Sequence, residues 1–239
     1  MGTTQKNVIK QPQQKVNKIS SGINKRNTES YTDKTTEETI KNKPVNKILI
    51  EPKENVNDGT FKLIPPTDAR VNSAIAPFSD DMLKDYNIKD RTELKDRMFK
   101  TMLKYGGIGL SANQVGLPFN MFVLGAHEHV EKGLKMTCFN PIIINKSEET
   151  IVMKEGCLTF PYLFLSITRP RKVVVKYQDE NGDLQEGHLD GTVSRIFQHE
   201  YEHMLGKNFT NGVSKMKLDF AFKKAGKQIK AYQKHKSEM

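Results

Sequence analysis

The sequence predicts an α+β domain: antiparallel and mixed strands around a central helix, with one helix before them and another after. Three observations carry this. Helical periodicity occurs at 89–104, 191–206 and 217–232. Short apolar runs broken by turn residues fill the span between the first two. A strong hairpin signal, Asn181-Gly182, stands just before the second helix.

The elements follow in order. The segment FKLIPPTDARV (61–71) is an extended, proline-bearing lead-in. Leu94, Met98 and Met102, with Tyr105, mark one face of a first helix over 89–104, which the Gly106-Gly107 pair ends. FNMFVLGA (119–126) and LKMTCFNP (134–141) read as strands. Two more short strands flank the polar turn NKSEE within 142–152. Residues 172–177 alternate as a strand, QDENGDLQEG turns, and 184–189 return. Gly191 opens the second helix, which stops at Gly206. The third, at 217–232, has an apolar stripe of Leu218, Phe222, Ala225, Ile229 and Tyr232, and its other faces are mostly lysine.

The 239 residues divide into a domain at 59–216, a basic amphipathic helix and tail at 217–239, and an N-terminal extension at 1–58. That extension is polar and basic and has no sustained period. It cannot bury enough apolar surface to offset its ordering entropy, so it is expected to lack a fold, apart from a possible stray strand at KILI (47–50). The net charge of +10 is uneven: +6 in 1–28, +7 in 207–239 and −3 between them. A mildly acidic centre argues against a specific DNA-binding core and leaves the basic ends for an anionic partner. No run of about 18 apolar residues suggests a membrane span, and the first residues have no apolar core of a secretory signal. With only Cys138 and Cys157, a reducing cytoplasm is expected. Targeting to an organelle by residues 1–28 is the minor alternative.

The second helix carries QHEYEHMLG (198–206). Residues four apart share a helix face about 6 Å apart, so His199 and His203 can hold one divalent metal. Glu200 lies about 100° further round, where a general base for a metal-bound water is needed. The alternative is an amphipathic helix with two solvated or core histidines. A third histidine six residues after His203 would mark one metalloprotease class, but that position is Phe209. A downstream glutamate would mark another, and the only one is Glu238. The third ligand therefore comes from upstream, and Cys157, on an irregular segment beside Gly156, is a candidate. Taken alone, a cysteine is more often a small buried apolar residue.

Three segments together resemble the peptide deformylase family: GIGLSANQVG (107–116), EGCLT (155–159) and QHEYEHMLG. IPPTDARVNSAIAPF (64–78) and CFNPIII (138–144) extend the resemblance over roughly 60–225. It implies removal of the N-formyl group from the formyl-methionine of new polypeptides. The metal ligands would be Cys157, His199 and His203, with Glu200 as acid–base and Gln114 and the backbone N–H of Leu158 as oxyanion donors. Iron(II) is the favoured ion, and zinc, nickel or cobalt also suit the donors. Gly107, Gly109 and Gly156 would lie along the substrate, with Ile108 and Ile196, and less firmly Phe160, around the methionine side chain.

The sequence departs from the family pattern at Ser111, Thr159, Glu202 and Met204, which replace Ala, Ser, Asp and Leu. It departs more sharply at Phe164, where many bacterial members carry a substrate-binding arginine. Arg195, one turn before His199, is expected to edge the cleft and contact substrate carbonyls in its place. Glu155 is expected to pair with Arg169 behind the ligands. The lysine-rich third helix suggests docking on ribosomal RNA. The rival readings are a metallopeptidase or amidohydrolase with another substrate, and an inactive binding relative.

Overall fold

A computed structural model describes residues 18–20, 59–128 and 130–237. Its strands are β1 (Lys18–Ser20), β2 (Gly109–Ser111), β3 (Met121–Gly125), β4 (Lys135–Lys146), β5 (Thr150–Cys157), β6 (Phe160–Pro170), β7 (Lys172–Gln178) and β8 (Leu184–Asp190). Its helices are α1 (Arg91–Lys104), α2 (Gly191–Met204) and α3 (Lys215–Ser237). Six strands form one sheet in the order β1-β8-β7-β4-β3-β2, while β5 and β6 form a separate hairpin. This is the expected α+β class.

Helix α1 begins at Asp90, whose side chain accepts from the Glu93 N–H, and ends before Gly106 at φ 68°. Its buried Leu94, Met98 and Met102 pack with Phe78, Phe119 and Phe139 against β2 and β3. Helix α2 packs Ile196, Phe197 and Met204 onto the other face of the main sheet, against Phe122, Cys138, Val173 and Val175. The turn between β7 and β8 is made as its sequence predicts, with Gly182 at φ 84°.

Three differences from the sequence reading have physical causes. The two strands read at 134–141 and from 142 onward are one strand, β4. Asn140 at φ 48° and a shift of register carry it past Pro141. Strand β6 was not foreseen. Leu163, Leu165 and Arg169 point inward along it, but Tyr162 and Phe164 are large and exposed, which hides the alternation. On α3 the inward face is Leu218, Ala221, Ala225 and Ile229, because alanines let the helix approach the hairpin. Phe222 and Tyr232, assigned to the stripe, are largely exposed.

Lys18–Ser20 lies within the segment expected to lack a fold. It adds a short parallel strand to the β8 edge, whose backbone groups would otherwise lack partners on that side. The rest of 1–58, with KILI, lies outside the described residues. Among the described residues no helix is long and apolar enough to cross a membrane.

Candidate metal centre

Two arms meet at the centre. Helix α2 brings the histidines, and the β5–β6 hairpin brings the cysteine. The C-terminal end of α2 is fixed by three contacts. Gly206 turns at φ 68°, and a Cβ there would sit 2.6 Å from the Ala74 nitrogen, so only glycine fits. The Ile75 N–H donates to the Met204 carbonyl at 2.9 Å. The Asn113 amide donates to the His203 carbonyl at 2.9 Å and to Val71 at 3.2 Å. Asn113 belongs to the glycine-rich segment, so the end of the ligand helix is tied to the turn that carries Gln114.

Cys157, His199 and His203 present ligand atoms that all lie within 4.8 Å of one another. The two imidazole rings are 5.3 Å apart, and His203 Nε2 is 3.4 Å from the Cys157 sulfur. His199 turns its Nδ1 to Glu155 Oε2 at 2.9 Å, which sets the orientation of the ring. Phe209, standing where a third histidine would mark another class, packs 5.5 Å from the His199 ring and 5.7 Å from Phe160 as a dry wall. Glu200 is buried, and its Oε2 has no hydrogen-bond partner. One sulfur and two imidazoles converging beside an unpartnered buried carboxylate oxygen suit a divalent metal with a water.

The local charges follow from burial and neighbours. Burial alone would raise the Cys157 thiol. The His203 charge and the hydrogen bonds of both imidazoles outweigh it and hold the thiol well below its usual value. Burial opposes a charged His199, but contacts with Cys157 and Glu155 lift its pKa well above the usual imidazole value. Burial raises Glu200, and the nearby imidazoles only partly offset this. Glu155 remains well below the carboxylate range, because hydrogen bonds from Arg169 and His199 overcome its burial.

The remaining predicted residues divide into two groups. Gln114 is buried. Its Oε1 accepts from the Ser111 N–H at 2.8 Å and hydroxyl at 2.9 Å, so its Nε2 faces the Cys157 sulfur at 3.3 Å and Thr159 Oγ1 at 3.0 Å. Leu158 follows the cysteine, and its side chain packs so close to Gly107 that a Cβ there would lie 2.7 Å from it. A Cβ on Gly109 would overlap Glu200 Oε1 and lie 2.8 Å from Ile196. Gly156 is covered by the Phe164 ring, 2.7 Å from where its Cβ would be. Ile196 is buried beneath Gly109, and Ile108 is 37% exposed at the rim.

The Glu155–Arg169 pair is present, with Nε at 2.6 Å and Nη2 at 2.9 Å from the carboxylate oxygens. Arg195 corrects the sequence reading. It does not edge the cleft. It is buried, its Nη1 donates to Glu155 at 2.7 Å and Ile167 O at 2.9 Å, and its Nη2 to Ile151 O at 2.5 Å. The helical spacing gave the right face, but that face meets the hairpin and not the opening.

Sequence reasoning also passed over Asn113, Ser111, Thr159 and Glu202. The last three are sites where the chain departs from the family pattern. Ser111 and Thr159 hold the two ends of the Gln114 amide, and Glu202 pairs with Arg169 at 2.5 and 2.9 Å. The substituted positions were the available signal.

The family model described as polypeptide deformylase matches residues 74–219, more than half of the chain. The chain belongs to the polypeptide deformylase family. Among relatives of this deformylase, the peptide deformylase of Erythrobacter litoralis is 32% identical over 193 residues, covering 71% of this chain and 97% of that one. That of Karelsulcia muelleri is 37% identical over 129 residues, covering 54% and 68%. The crystal structure of peptide deformylase from Ehrlichia chaffeensis superposes with a TM-score of 0.62 at 31% identity, covering 73% of this chain and 99% of that one. The Synechococcus elongatus peptide deformylase in complex with actinonin gives 0.63 at 29%, covering 72% and 91%. Like these deformylases, the chain is an enzyme of mixed α and β structure.

Proposed function

We propose that the enzyme hydrolyses the N-formyl group from the N-terminal formyl-methionine of newly made polypeptides and releases formate. The observation that carries this reading is the Cys157–His199–His203 cluster with Glu200 buried beside it, set against strand β2. A divalent metal held by the three ligands, iron(II) by family resemblance or else zinc, nickel or cobalt, supplies Lewis-acid activation of a water.

The chain's own residues do the rest. Among the described residues strand β2 is the last in its sheet, so the backbone of an extended peptide can pair with its outer side. Gly107 and Gly109 allow that close approach, with Gly156 opposite. Ile108 and Ile196, helped by Phe160, offer apolar surface to the methionine side chain. Glu200 accepts the proton of the water as its oxygen attacks the formyl carbon, then passes it to the amine as the C–N bond breaks. Gln114 Nε2, which faces the Cys157 sulfur, donates to the oxygen on which negative charge grows, and family resemblance gives the Leu158 N–H the same role. Gln114→Leu should therefore lower kcat by roughly 10²–10³-fold with metal content unchanged, as measured by steady-state kinetics and metal analysis.

The test of the activity is formate release from a formyl-Met tripeptide, using protein purified without oxygen and loaded with iron(II). Rapid turnover on formylated peptide, with none on acetylated or free peptide, is expected. One equivalent of bound metal with no turnover would overturn the substrate and leave another amidohydrolase or peptidase reaction, or an inactive relative. Both cysteines are free thiols, which suits the cytoplasm as the place of action.

The outward lysines of α3, among them Lys223, Lys224 and Lys227, support docking on ribosomal RNA near emerging chains. Charge reversal at these three tests this better than deletion, because the inner face of α3 covers Leu163 and Leu165. Salt-sensitive co-sedimentation with ribosomes should be lost in the triple variant. Unchanged sedimentation would remove the docking.

A further inference from the structure

We propose that Arg195 is a positioning residue for the metal ligands, locking the cysteine arm of the centre to its histidine arm. The inference rests on the reading of Cys157, His199 and His203 as a metal site.

The two arms belong to different parts of the fold. The backbone of α2 packs on β2, β3, β7 and β8, whereas β6 packs on α3. Among the described residues the β5–β6 hairpin has no strand pairing with the main sheet. Its register to α2 therefore depends on side chains that cross the gap: buried Gln198 donates to Pro170 O on β6 at 2.9 Å, and a set of charged side chains crosses beside it. Arg195 reaches from α2 to both strands of the hairpin. One arm of its guanidinium meets Ile151 O on β5, and the other meets Ile167 O on β6 and Glu155 Oε1. Glu155 stands two residues before Cys157 and holds the His199 ring. Arg169, from β6, completes the set by bridging Glu155 to Glu202 on α2. Two arginines and two glutamates thus neutralise one another directly behind the ligands, with Arg169, Arg195 and Glu155 buried and Glu202 half-exposed.

The geometry separates the roles of the two arginines. Arg169 pairs with both carboxylates, Glu155 and Glu202, and Arg195 with Glu155. Arg195 alone takes backbone carbonyls from both strands, whereas Gln198 takes one from β6 only, so Arg195 fixes the two strands together along the helix axis. A planar fork with several donors can satisfy three acceptors at fixed positions, and an ammonium on a flexible stem cannot do so in the same geometry. The distance from the sulfur to the two imidazoles, and so the grip on the ion, follows from that placement. Partners behind metal ligands typically alter affinity by about 10–100-fold.

The experiment measures cobalt(II) affinity and the thiolate-to-cobalt absorption band of the full chain for wild type, Arg195→Met and Arg195→Lys, at a temperature where each is folded. Arg91→Met serves as control. Arg91 pairs with Asp80 and stacks on Phe78 and Phe139 outside the centre, so its loss should cost stability without touching the ion. Arg195→Met is expected to weaken cobalt about 10–100-fold and shift the band, Arg195→Lys to fall between, and Arg91→Met to leave both unchanged. Wild-type affinity and spectrum in Arg195→Met would overturn the proposal. If that variant does not fold, the same result in Arg195→Lys would overturn it. Wild-type protein that binds no cobalt would instead refute the metal site itself.

Discussion

Gly109→Ala should lower kcat by about 10²–10⁴-fold while the metal stays bound, the loss expected when a general base is taken out of place. The added methyl has no room, because it would overlap Glu200 Oε1 and press on Ile196 at 2.8 Å. Ile196 is buried in the packing of α2 and resists movement, so the carboxylate is what shifts. The atoms nearest this methyl belong to Glu200 and Ile196 and not to the histidines or the cysteine, so metal content should match the wild type. Glu200→Gln gives the reference value, since it removes the base without crowding. A Gly109→Ala enzyme with kcat within about threefold of wild type would show that Glu200 is not positioned from β2.

Glu155→Ala should lower stability by about 3–5 kcal/mol, the usual result of removing one partner from a buried charge pair. For a chain of this size that corresponds to a fall in Tm of about 6–20 °C by calorimetry. The loss arises on two sides. Arg169 and Arg195 keep their charge but lose their shared acceptor, with Arg169 left to Glu202 and Arg195 to two carbonyls. His199 loses the partner of its Nδ1. Metal retention should therefore fall together with stability, and added metal should recover less Tm than in the wild type. A Tm within 2 °C of wild type would show that the cluster contributes little.

Much of this centre is legible in the sequence because its parts are local. His199, Glu200 and His203 sit on one helix, whose period fixes their faces, and Gly206 marks its end. Cys157 is a candidate from its setting beside Gly156, but it is singled out, and Gln114 emerges, only when three segments are taken together. Arg195 was misread for a definable reason: helical spacing gives the direction of a side chain but not what fills the space it enters. Here that space is filled by β5 and β6, and β6 was itself hidden because Tyr162 and Phe164 put aromatic surface on its outer face. The contacts of Asn113 with His203, 90 residues apart, and of Gln114 with Thr159, 45 apart, are matters of tertiary placement. No local pattern encodes them.

The brace of the hairpin, α3, follows the histidine helix α2 in the sequence. Ala225 and Leu218 of α3 close over Leu163 and Leu165, yet they follow both histidines in the sequence. During synthesis, the histidine helix is complete while the sulfur arm still lacks its support. A product cut short before α3 would retain all three candidate ligands and lack a fixed place for Cys157. On the metal-site reading, a firm grip on the ion therefore waits for α3, and chains lacking that helix should surrender the ion more readily.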